Sequence, residues 1–215
     1  MSFLQQLKSQ ASALLSEQSA QQIQDEANIA LTEAASKTAW LYISELAEQL
    51  NVIEPPGPTL SLDGKTPWPL MKLSNFHVDA RKKMLHDKEV FNYIAMGWTI
   101  VPSDNEVHGG SVTANFPPEL HRIESRLFAG TVKHERIEVR HPEKRTLQEI
   151  RFDYVAQARA SVTISAHHND AKLAFRLANV HGFEVVKVSY SADQIQAPLL
   201  DELAKLLVGQ ASRFV

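Results

Sequence analysis

The 215-residue chain is 44% hydrophobic and 22% charged, with eight glycines and no cysteine. This is a globular composition with enough length for its own core, and it excludes a disulfide scaffold, a thiolate metal site and a cysteine nucleophile. A formal net charge of −3 leaves no electrostatic footprint for nucleic acid. No apolar run reaches the ~20 residues of a membrane span. The opening MSFLQQLKSQ lacks the pattern of a signal peptide, so the chain reads as a cytoplasmic protein without a transmembrane segment.

Residues 2 to 52 contain neither glycine nor proline and are rich in Ala, Leu, Gln and Glu, a helix composition. Lys8 and Lys37 stand against six acidic residues in the first 53, a net of −4 that leaves the remainder at +1. Phe3, Leu4, Leu7, Ala11, Leu14 and Leu15 form a stripe at helical spacing. Ser19 with Gln22 matches a capping box and predicts a second helix from Ala20 to Leu50, with Ile23, Ala27, Ala30, Leu31, Ala34, Leu41 and Leu46 near one face. The expectation for residues 1–53 is a helical arm or hairpin, a single unbroken helix being the alternative. Phe3, Leu7, Leu14, Ile23, Leu31 and Leu41 are its candidate interaction face, toward a second copy or another protein.

Glu54-Pro55-Pro56-Gly57-Pro58 is a linker, and residues 59–215 are expected to form the body. Asp63-Gly64 suggests a small hairpin. Gly64-Lys65-Thr66 ends like a phosphate-binding loop, but Thr59 stands where the motif needs glycine and Pro67 where its helix should begin. Across 70–101, the alternation of Phe76, Val78 and Ala80 and the β-prone Trp98-Thr99-Ile100-Val101 favour strands. Arg81-Lys82-Lys83 reads as a solvated patch beside Asp79 and Asp87. Ser111 to Phe116 reads as a strand, and Pro117-Pro118-Glu119 opens a helix ended by Gly130.

Residues 132–190 read as an antiparallel β-meander. From Leu147 to His167 apolar and polar residues alternate, Ile150 through Ala166 on one face. The run is about twice a usual strand length, which predicts a bend between Ala156 and Ala160. A turn at Asn169-Asp170 pairs Ala166, Ile164 and Val162 with Leu173, Phe175 and Leu177. A turn at His181-Gly182, with glycine at positive φ, then pairs these with Tyr190, Val188 and Val186. Upstream, a four-residue loop, Glu143 to Thr146, places Val139 opposite Ile150 and Ile137 opposite Phe152. It also sets three ion pairs across the strands: Arg140 with Glu149, Glu138 with Arg151, and Arg136 with Asp153. The Leu199, Leu200, Leu203, Leu206 and Leu207 stripe predicts a C-terminal helix covering the meander, and Arg213-Phe214-Val215 is expected to fray. The fold class is α+β.

The nine histidines show no metal-ligand spacing, and neither a nucleophile elbow nor a dinucleotide fingerprint is present. The sequence assigns no catalytic residue, metal ligand or cofactor. Function is expected to be a non-enzymatic interaction or assembly role carried by the N-terminal helices. One alternative is a small apolar ligand held between curved sheet and helix near Tyr154, Phe175 and Tyr190. Another is a hydrolase using a histidine and a carboxylate.

Overall fold

The computed structural model describes residues 3–215. It is an α+β fold: one long helix, a five-stranded and a three-stranded antiparallel sheet, and two shorter helices.

Helix α1 spans Phe3–Ile53 without a break, so the hairpin does not form. The reason is local. Ser19 does not cap: its hydroxyl donates back to the Ser16 carbonyl, 2.9 Å away, inside the helix. Gln21 and Gln24 reach forward to Asp25 and Asn28 at 2.7 and 2.9 Å, the (i, i+4) ladder that carries a helix through a polar stretch. The helix ends where Glu54 turns to φ 45° before Pro55.

Strands β1 (Met71–Leu85) and β2 (Lys88–Pro102) form a long hairpin turned at His86-Asp87, both at positive φ. Strand β3 (Gly109–Ala114) and helix α2 (Pro117–Ala129) follow, then β4 (His134–Arg140) and β5 (Leu147–Val155). Strands β6 (Ala158–His167), β7 (Lys172–Ala178) and β8 (Val185–Ser191) lead through a 3-10 turn to α3 (Ala197–Leu207). The large sheet has the order β1-β2-β6-β7-β8 and the small one β3-β5-β4.

The long alternating run breaks at Ala156–Gln157, and its halves join different sheets. The bend therefore does what the small residues there predict. Downstream, β6 pairs Ile164 with Phe175 and Val162 with Leu177, and β7 pairs Phe175 with Val188 and Leu177 with Val186, as the alternation requires. The second turn differs in detail. The positive φ falls on Asn179, at 61°, rather than on Gly182.

Strand β4 is slipped by one residue from the expected register. Glu138 faces Ile150, Val139 faces Glu149 and Arg136 faces Phe152. The loop sets this. The His141 amide donates to Thr146, and His141 Nδ1 accepts from the Glu143 and Lys144 amides, while a bulge separates Val139 from Arg140. A one-residue slip turns every side chain over, so the three cross-strand ion pairs are absent. Arg136 and Arg140 instead flank Glu138 on its own strand, Arg151 pairs with Asp153, and Arg136 reaches Glu124 of α2. The Asp63 hairpin is also replaced. Asp63 accepts from the Lys65 and Thr66 amides and the Ser61 and Thr66 hydroxyls, a side-chain-closed turn. Burial pushes its carboxyl up, but these donors outweigh it and hold it well below the usual range.

One hydrophobic cluster runs from α1 through both sheets to the C-terminus. The expected body boundary near residue 59 does not mark its edge, because Ala35, Ala39, Ile43, Ala47 and Leu50 of α1 belong to it. Asn51 holds both backbone groups of Phe76 at 2.7–2.8 Å, and Tyr42 donates to Asp201 of α3 at 2.6 Å. Burial and the Asp201 carboxylate push the Tyr42 hydroxyl well above its ordinary value, so it remains a donor. The tail does not fray. Phe214 is fully buried against Phe175 and Tyr190, its carbonyl takes the Tyr190 hydroxyl, and the Arg213 amide donates to Glu202. Phe214→Ala is expected to cost about 3–5 kcal/mol, read as a fall in the denaturant midpoint at unchanged slope.

Candidate functional site

Helix α1 has two unlike halves. From Ile29 onward one face is buried through Thr32, Ser36, Ala39, Ile43, Ala47 and Leu50. These residues are small or polar, apart from Ile29, Ile43 and Leu50, and they complement the bulk of Phe76, Met96, Trp98 and Phe175 in the sheet. The Thr32 hydroxyl is satisfied by the Asn28 carbonyl at 2.8 Å. Before Ile29 no described side chain is buried, and the tip of the β1–β2 hairpin meets the helix beside Gln18 to Asp25 through His86 and Lys88. The helix start beyond that notch carries Phe3, Leu7, Leu14 and Leu15, all exposed.

At 3.6 residues per turn, Phe3, Leu7 and Leu14 continue the line of the buried face. Ile23 sits about two and a half turns past Leu14, on the opposite side, and Leu41 lies in line with Ile23. Leu31 stands between the two sides. All six residues are exposed, Phe3 at 74% and Ile23 at 70%, but they do not form one face. The structure brings together Phe3, Leu7 and Leu14 and separates them from Ile23, Leu31 and Leu41.

The three aromatics expected around a pocket fall into two clusters. Tyr154 stacks on Trp68 with centroids 5.6 Å apart and covers Gly110, where a Cβ would lie 2.4 Å from its ring. Burial pushes its hydroxyl pKa up. Phe175 and Tyr190 belong with Phe214. An open groove of about 810 Å³ lies elsewhere, between α1 and the edge strand β1, lined by Trp40, Leu41, Val78, Ala80 and Phe91 with Glu33, Lys37 and Lys82 among the charged residues.

Two histidine–carboxylate pairs form, one between distant positions and one within a single loop. His168, in the β6–β7 turn, is 3% exposed. Its Nε2 lies 3.0 Å from Glu33 Oε1, which also accepts the Phe91 amide at 2.8 Å. One carboxylate thus ties helix α1 to β2 and to the β6–β7 turn. His108 Nε2 lies 2.7 Å from Asp104 Oδ2, and with Glu106 they place three ligand atoms within 4.8 Å of one another. Asp104 also accepts the Glu106 amide, so the group closes its own exposed loop. The alternating Asp104-x-Glu106-x-His108 spacing is the signal that could have flagged it. The His168–Glu33 contact spans 135 positions and leaves no local signal.

Glu33→Ala strips the acceptor from two inward-facing donors. The expected loss is about 1–3 kcal/mol, with Glu33→Gln milder, measured by urea unfolding. In the comparisons with known proteins, no family model matches the chain, and no curated protein or solved structure is similar to it.

Proposed function

We infer that the chain is a non-enzymatic assembly protein whose projecting helix start, around Phe3, Leu7 and Leu14, docks on a second copy of the same chain. The observation that carries this is a second, exposed apolar patch on the same line of α1 as the buried face, separated from it by Gln18, Gln21, Gln22 and Asp25. The line of positions that forms the core from Ile29 to Leu50 runs on past the hairpin tip, where Phe3, Leu7, Leu14 and Leu15 are exposed. A free helix of this length is marginal in water, and an apolar face along it is stabilised by burial against another surface. Between Phe3 and Gln24 only Lys8 and Glu17 are charged, so two copies meet without repulsion. A cysteine-free chain suits a reducing compartment such as the cytoplasm. Among the described residues, no helix is long and apolar enough to cross a membrane.

A second reading, a small apolar ligand, moves from the aromatics expected from sequence to the groove of Trp40, Val78, Ala80 and Phe91. Its apolar floor under a charged rim favours it. It predicts that a medium-chain fatty acid raises the melting temperature of the wild type and not of Phe91→Ala.

Light scattering after size exclusion tests the assembly reading. The full chain is expected to be a dimer. The double variant Leu7→Glu, Leu14→Glu and a chain beginning at Gln21 are expected to be monomers with unchanged cooperative melting. A monomeric full chain, or a dimer that survives both changes, overturns it. A chain beginning at Thr59 is expected not to fold, because it lacks the α1 half that belongs to the core.

A further inference from the structure

The large sheet has a second face, away from α1 and α3. Its central row crosses four strands: His77 on β1, Gly97 on β2, Ser161 on β6 and Ala178 on β7 are successive partners. A cleft of about 480 Å³ lies over this row, walled by Ala129 and Thr131 at the end of α2 and by Asn179. Neither Asp nor Glu lines it, while Arg159, Arg176 and His77 do.

Three features make the cleft a site for an anion. First, two arginines line it. Arg159 precedes Ser161 by two residues, and Arg176 precedes Ala178 by two. Because β6 and β7 are antiparallel, the two residues flank the row on opposite sides, beside Thr99 and Thr163. Neither has an ion pair or a side-chain hydrogen bond among the described residues, although the protein is acidic overall. Second, Gly97 gives the His77 ring its place, since a Cβ there would lie 2.8 Å from it. His77 Nδ1 faces the Asn75 carbonyl at 3.3 Å, which leaves Nε2 for a ligand. Third, the wall is turned toward a guest. The last carbonyls of α2 would repel an anion, but Ala129 O is taken by Asn179 Nδ2 and Gly130 O by the Arg159 amide. Asn179 is 3% exposed, and its Oδ1 is buried without a donor. Asn75, Thr131 and Asn179 all hold positive φ, a conformation that costs a β-branched residue such as Thr131 most.

We propose that this cleft binds a small hydroxylated molecule with an anionic group at each end, of the phosphorylated hydroxy-acid class. A guanidinium fork matches phosphate or carboxylate oxygens bidentately, and one arginine flanks the row on each side. Thr99 and Ser161 line the floor between and offer their hydroxyls to those of the ligand. The volume suits a small metabolite and exceeds the need of one inorganic phosphate.

Isothermal titration calorimetry on the full chain tests this with 3-phosphoglycerate, glycerol 3-phosphate, glycerate and glycerol at constant ionic strength. The two-ended anion is expected to bind tightest, each one-ended anion at least tenfold more weakly, and glycerol not at all. Arg159→Ala and Arg176→Ala are each expected to weaken 3-phosphoglycerate binding at least tenfold with the melting temperature unchanged, since both side chains are exposed. Arg151→Ala, on the other sheet, is expected to bind as the wild type does. No heat at about 10 mM ligand, a range that would still reveal millimolar affinity, overturns the proposal. So does equal binding by glycerol 3-phosphate, or affinity that survives both arginine substitutions.

Discussion

The packing of the second half of α1 on the large sheet is the constraint on which the rest of the structure depends. Thr32, Ser36, Ala39 and Ala47 are small, so the sheet can present Phe76, Met96, Trp98 and Phe175 without overpacking. Polar ties then fix the helix, among them Asn51 on the Phe76 backbone, Glu33 on the Phe91 amide and His168, and Tyr42 on Asp201. Each joins α1 to a different part of the body, so a slide along the helix axis breaks all three. With the helix fixed, α3 and the tail close over what remains, and Phe214 seals the far end beside Tyr190.

That packing uses up one face of the sheet and leaves two surfaces with distinct chemistry. The helix runs past the sheet and exposes Phe3, Leu7 and Leu14 to solvent. The opposite sheet face collects arginines without carboxylates, the basis of the anion site proposed above. The surfaces share no residue. The proposed assembly and anion-binding roles are thus separable by substitution, one resting on the projecting start of α1 and the other on the strands that its second half holds in place.

The bend at Ala156–Gln157 is the second organising device. It sends one alternating stretch into two sheets, so the core continues from the three-stranded sheet, where α2 buries Ile123 and Leu127, into the five-stranded one. The stacked Trp68 and Tyr154 and the edge-on Phe183 extend the packing at this junction.

What the sequence determined by itself was local and periodic. Alternation with turn residues fixed the registers of β6, β7 and β8, because a slip there would expose Val162, Ile164 and Phe175 together. Proline and glycine placed the ends of α2, and the run of small alanines located the bend. Tertiary structure decided the rest. The buried face of α1 is written in Thr, Ser and Ala rather than in leucine, so a reading that follows bulk chose Leu31 and Leu41, which stay exposed. The β4 register followed its loop's own hydrogen bonds instead of the charge pattern, since exposed ion pairs contribute too little to overrule them. The Glu33–His168 tie and the meeting of Arg159, Arg176 and Asn179 join distant positions. Their proximity depends on strand order and on the end of α2, neither of which local periodicity encodes.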